Sequence, residues 1–333
     1  MSAPGSAPAG AGERASRTAW IALAALTGIN LLNYFDRYVV PAIQEQLRAS
    51  PMHPSDEQLG ALTSAFFYAY MVFSPIFGAY GNRGNRPRLL AAGVAVWSVA
   101  TALGGFASSY GQLLSSRAVV GIGEAIYATI GPALLADYFP ASMRGRVMAI
   151  FYAAMPVGAA AGLGLSGAIA VRYGWPHAFF VAGIPGIALA VGLLFVPEAK
   201  DRAAGESTVG VRGYLTLARN LPYVIIVLGL SAYTFGVGGT AAWLPSWLQR
   251  ERGLSTQAAA IVTGAAIALA GGLGSIVGGW LGDRLLPRWR ESYLWVSAVS
   301  TLVAAPLAWF AFTGPAPAYL VATFLAVFFL FFS

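Results

Sequence analysis

The chain has 333 residues, of which 57% are hydrophobic and only 10% charged, with 40 glycines, no cysteine and two histidines. That balance describes an all-α integral membrane protein rather than a soluble domain, and the apolar runs are too long and too uniform for the alternating ten-residue strands of a β-barrel. Without cysteine there are no disulfides or thiolate metal sites, and with His53 and His177 far apart in loops no metal centre is expected.

The first 18 residues are rich in Ala, Pro, Gly and Ser and lack the apolar core and cleavage site of a signal peptide, so they are expected to form a disordered cytoplasmic tail. Ten apolar runs follow, each near the roughly 20 residues that cross about 30 Å of hydrocarbon. They cover 19 to 44, 59 to 80, 88 to 109, 111 to 136, 147 to 171, 177 to 196, 221 to 248, 257 to 281, 292 to 313 and 317 to 333. A polar segment, 197–220, separates six runs from four and is expected to link an N-terminal bundle (19–196) to an incomplete C-terminal one (221–333).

Of the 20 Lys and Arg residues, 14 fall in the tail and the loops on its side, four (Arg48, Arg172, Arg250, Arg252) lie on the opposite side, and two lie inside runs. This bias places the N-terminus in the cytoplasm and explains the net charge of +7 without a nucleic-acid partner. The expected location is the cell (inner) membrane, as a multi-pass monomer surrounded by the lipid bilayer.

Four charges break the apolar pattern. Asp36 and Arg37 lie in the first run and Arg117 and Glu124 in the fourth, where a charge is costly and tends to be functional. With the first run going outward and the fourth inward, Asp36 lies about 12 Å and Arg117 about 9 Å below the same surface, while Glu124 lies about 20 Å below it. Asp36 should therefore match Arg117 in depth. The long Arg37 side chain leans toward the start of its helix, and so toward Glu124. Arg117 and Glu124, seven residues apart, share a helix face. Such a set can be a static lattice pinning two helices, or a pair of protonatable couplers, Asp36 and Glu124, with Arg37 and Arg117 as counter-charges and contacts for an anionic substrate.

A short pattern repeats. Gly78, Asn82 and Arg83 close the second run and Gly279, Asp283 and Arg284 the eighth, at the same spacing and an offset of 201, each followed by further arginines such as Arg86 and Arg88. Two halves with equivalent basic turns form a parallel internal repeat of the kind transporters use. The aromatics Tyr68, Tyr127 and Tyr152, with Tyr233 and Trp243 beside the glycines of the seventh run, are candidates for lining a passage. Glycines of the fifth and eighth runs are expected to serve packing.

GAYGNRGNRPR, Gly78 to Arg88, resembles the loop signature of the major facilitator superfamily. NYFDR (Asn33–Arg37), RAVVGIGEAIYATIGPALLADYF (Arg117–Phe139) and RGRVMAIFYAAMPVG (Arg144–Gly158) are together similar to the Spinster branch of lipid transporters. The resemblance implies a two-bundle fold of twelve helices, of which this chain would hold about ten, as in a truncated record. It further implies transport of an amphipathic lysophospholipid or sphingoid lipid with protons, and it carries proton coupling and substrate response onto Asp36, Arg37 and Glu124. Asn82 departs from the family, which usually has Asp there.

The expected mechanism is alternating access without cofactor, gated on the cytoplasmic side by Gly78, Asn82, Arg83, Arg86, Arg88, Asp283 and Arg284. In the outward-open state those arginines would meet carboxylates of the facing half, with Asp137, Glu198 and Asp283 as candidates. The alternatives are a proton symporter of small organic anions, consistent with NYFDR, an inactive fragment, and a membrane-embedded enzyme. For an enzyme no nucleophile with a base is present, and no nucleotide-binding motif points to an ATP-driven pump.

Overall fold

A computed structural model describes residues 16–80, 84–199 and 211–332, and among these every regular element is helical. Nine helical stretches are long and apolar enough to cross a bilayer, and a tenth apolar helix is shorter. In chain order the first bundle contains α1 (Arg17–Arg37), α2 (Val39–Arg48), α3 (Asp56–Tyr80), α4 (Arg86–Gly104), α5 (Tyr110–Asp137), α6 (Ala141–Tyr173) and α7 (Trp175–Leu193). After α8 (Val211–Ala218), a short helix inside the segment read as linker, come α9 (Leu221–Arg252), α10 (Thr256–Ala265), α11 (Gly272–Leu285), α12 (Ser292–Thr313) and α13 (Ala318–Leu330).

Starts are set by capping. Ser16, Asn85, Ser109, Asn220 and Ser255 each accept a bond from a backbone N–H of the first turn, satisfying donors that an α-helix leaves open.

Two apolar runs that look continuous are interrupted. The first breaks at Tyr38, between α1 and α2, where the backbone leaves the helical region. Pro41, which has no N–H, cannot bond the carbonyl of Arg37 four residues back. The break therefore falls beside a buried charge. The eighth run keeps its direction but passes through a π-helical segment, Ala266–Gly271, between α10 and α11.

Within the first bundle, small residues let the helices sink into one another. A Cβ on Gly162 would lie 2.4 Å from the Phe35 carbonyl of α1, and one on Gly121 would lie 2.3 Å from the Phe66 carbonyl of α3. Those contacts bring α6 against α1, and α5 against α3, at the level of the charged residues. Trp97, Tyr127, Phe151 and Phe179 fill the buried space around them.

The bundles meet at the face opposite the arginine-rich turns. There the Gln46 amide donates to Thr256 (2.8 Å), Ser246 donates to Gln44 (2.7 Å), and Arg250 bonds Glu45 at 2.6 Å and Asp56 at 3.1 Å. Toward the basic face the halves part. Leu221, Ile225 and Leu228 at the start of α9 stand exposed, and a cavity of about 590 Å³ opens between α1 and α6 on one side and the π segment, α11 and Phe331 on the other.

Candidate functional site

The charge layer is built by neighbouring turns of α1 and α5. Asp36 and Arg37 are consecutive, so they point about 100° apart and reach different turns of α5. Arg117 donates through Nη1 to Asp36 at 3.0 Å, and Arg37 donates through Nε to Glu124 at 2.8 Å. Asp36, Arg117 and Glu124 are at most 3% exposed at the side chain, whereas Arg37 is 17% exposed. Arg37 is thus the way in.

The two carboxylates are served unequally. Both oxygens of Asp36 accept a bond, the second from the hydroxyl of Thr101 on α4 at 2.6 Å. Glu124 uses Oε2 for Arg37, while its buried Oε1 has no partner. Thr101 is a participant that sequence reasoning missed, because a threonine in an apolar helix ordinarily turns its hydroxyl back on its own backbone. Only the approach of α4 to α1 reveals it.

Aromatic faces complete the surroundings of the guanidiniums. Arg37 lies 4.9 Å from the ring centre of Tyr34, 5.3 Å from Phe66 and 5.1 Å from Tyr70, and Arg117 lies 5.6 Å from the same Phe66 ring. Phe66 therefore stands against both cations, and its π face offsets part of the cost of keeping them out of water. A cavity of about 190 Å³ is lined by Arg37, Asn33, Tyr34, Tyr127 and Tyr152 among others. Tyr34, Tyr152 and Met155 line this cavity and the 590 Å³ one alike, so a polar recess adjoins a large apolar one.

A family model for the Major Facilitator Superfamily matches residues 26–333. The chain belongs to this superfamily. Its relatives include Protein spinster of Drosophila melanogaster, 32% identical over 304 residues that make up 87% of this chain and 50% of that protein. Another is the Sphingosine-1-phosphate transporter SPNS2 of Danio rerio, 35% identical over 71% of this chain and 49% of the relative. The chain thus spans about half the length of the curated relatives it matches. Among solved structures it resembles a bacterial homologue of the human lysosomal transporter Spinster, in an inward-facing and unoccupied conformation. That likeness has a TM-score of 0.80 and 24% identity, over 96% of this chain and 75% of that one, and it concerns the fold. The present chain is accordingly a Spinster-type, multi-pass membrane member of the superfamily.

The remaining residues singled out in the sequence are scattered within this superfamily fold. Tyr127 and Tyr152 line the polar recess. Tyr127 is held there by a 2.6 Å bond from its hydroxyl to the Leu26 carbonyl. Tyr68 is 66% exposed on α3 and lines neither cavity. Tyr233 donates to the Leu330 carbonyl at 2.7 Å, inside the second bundle. Trp243 packs near Gly60 of α3, at the seam between the bundles rather than in either cavity.

At the basic face, Gly78 has open space around its Cα, Asn82 and Arg83 lie outside the described residues, and Arg88 is exposed. Arg86 is 2% exposed and binds Asp137 (2.6 Å) and Glu198 (2.7 Å), both in its own bundle. Tyr138, beside them, donates to the Pro197 carbonyl, and burial pushes its phenol up to about 12, so it stays protonated. Asp283 accepts from Tyr293 within the second bundle, and Arg284 lies over the Trp280 ring at 5.5 Å. In this state the carboxylates expected to pair across the gate are occupied within their own halves, because the halves are parted at that face.

Proposed function

We propose that the chain is the greater part of a proton-coupled secondary transporter that moves an amphipathic, anionic, lipid-like substrate by alternating access. It is not an enzyme, it needs no cofactor, and it works as a monomer in the cell membrane with its N-terminus and basic face in the cytoplasm. On that orientation the arrangement described here is inward-open. The observation that carries the reading is the adjoining pair of cavities, one polar and presenting Arg37, the other apolar and about three times larger. An anionic head in the first and an apolar chain in the second would use both. The naming of a Danio rerio relative as a Sphingosine-1-phosphate transporter supports a substrate of that class.

Coupling follows from the shared use of Arg37. While Glu124 is ionised it holds the guanidinium through Nε; a proton on Glu124 weakens that bond and frees Arg37 for the head group. Asp36, bonded on both oxygens, is the second protonatable member, with Arg117 as its counter-charge. Release of Arg37 loosens α1 against α5 next to the break at Tyr38, and the bundles rock about the site.

Reconstitution in proteoliposomes tests this. Glu124→Gln should reach the membrane and still bind an alkyl phosphate, but lose the response of uptake to an imposed pH gradient. Full proton-driven uptake by that variant refutes the coupling role. A wild-type protein that takes up a small organic acid and ignores lysolipids refutes the substrate class.

A further inference from the structure

Asn33 is 2% exposed, yet its side-chain amide nitrogen has no acceptor. A buried donor left unpaired is costly and needs a reason. Asn33 precedes Arg37 by four residues on α1, so the two share a face, and both line the 190 Å³ recess. The other N–H or O–H groups there are partly committed. Asn30 donates to the Phe151 carbonyl at 2.9 Å, and Tyr127 to the Leu26 carbonyl. Arg37 gives Nε to Glu124, and its two terminal nitrogens have no protein acceptor among the described residues. No carboxylate lines the recess. Its open nitrogen donors are therefore the fork of Arg37 and the amide of Asn33.

The count of donors discriminates between anions. A planar carboxylate has two oxygens, and the guanidinium fork satisfies both, which leaves Asn33 unpaired. A tetrahedral phosphate presents a third oxygen. We propose that Asn33 is a specificity-determining residue that, with the Arg37 fork, selects a phosphate monoester head over a carboxylate head on a single-chain amphiphile. The proposal rests on the transport reading above. It adds to that reading the chemical ground on which one head group is chosen.

The test is equilibrium binding of radiolabelled hexadecyl phosphate and palmitate to the full chain in nanodiscs. Wild type should favour hexadecyl phosphate. Asn33→Leu should weaken it about tenfold or more, the worth of one hydrogen bond to a charged oxygen, and change palmitate binding by no more than about twofold. Asn33→Ser, which keeps a donor in a smaller side chain, should recover part of the preference. Equal weakening of both ligands by Asn33→Leu, or no weakening, overturns the role of Asn33 while leaving the transport reading intact. Wild type that binds neither ligand overturns both. Inorganic phosphate should not displace hexadecyl phosphate; if it does, the recess is an ion site and the head-group proposal falls.

Discussion

Two sets of two carboxylates and two guanidiniums occur in this molecule, and they differ in where they sit and what they join. Asp36, Arg37, Arg117 and Glu124 are sunk in the first bundle and tie α1 to α5. Glu45, Arg48, Asp56 and Arg250 lie at the rim opposite the basic face, with side chains 21% to 49% exposed, and Arg250 crosses from the second bundle to the first. The same chemistry thus serves two ends. Out of water, an ion pair is costly to break and its worth depends on every partner, which suits a site that must respond to a proton or a ligand. In water, it is cheap to make and to break, which suits a contact that must open in each cycle.

The widest separation between the two sets should come from breaking one member of each. Arg117→Ala would leave Asp36 buried with Thr101 as its only bonded partner and should destabilise the protein by about 3 to 5 kcal/mol, read as a fall in thermal midpoint in detergent. Removing Asp36 as well should restore part of that loss; strict additivity would mean the pair is not coupled. A smaller effect is expected from Thr101→Val, about 1.5 to 3 kcal/mol for a bond to a charged carboxylate, with Thr101→Ser close to wild type in the same melt. If Thr101→Val melts like wild type, the second bond to Asp36 carries no weight.

At the rim, Arg250→Ala should cost under about 1 kcal/mol. Its signature lies elsewhere. Spin labels placed across the rim on the two bundles should show a longer, broader distance distribution, and an unchanged one would remove the rim set from gating. Smallest of all should be the effect of salt. Raising ionic strength to about 1 M shortens the screening length to about 3 Å, so it should mimic Arg250→Ala at the rim and leave the melting loss of Arg117→Ala unchanged.

Much of the charge layer was legible because helices translate sequence position into depth. At 1.5 Å per residue, Asp36 and Arg117 come to similar depths, and Arg37 leans toward Glu124. The structure puts those same partners within bonding distance. Thr101 and the Phe66 ring were not legible, since the first depends on the angle at which α4 meets α1 and the second on how deeply Gly121 lets α5 sink against α3. The break at Tyr38 could have been read. Pro41 stands in the sequence, and its missing N–H leaves the Arg37 carbonyl unbonded, but the apolar run masks the interruption. Arg86 shows the opposite failure. It was assigned to a contact between halves, and it binds Asp137 and Glu198 of its own half.

By itself, then, the sequence determined that this chain lives in a bilayer, how many times it crosses, and which four charges have been carried into the apolar interior. Those facts follow from local composition and helical rise, which need no neighbour. Only the tertiary structure decided that Asp36 has two donors and Glu124 one, that Asn33 is left unpaired beside Arg37, and that Arg250 reaches Glu45 across 205 residues of chain. Each of these depends on the angle and spacing between helices far apart in sequence, and those are set by packing rather than by any run of residues along the chain.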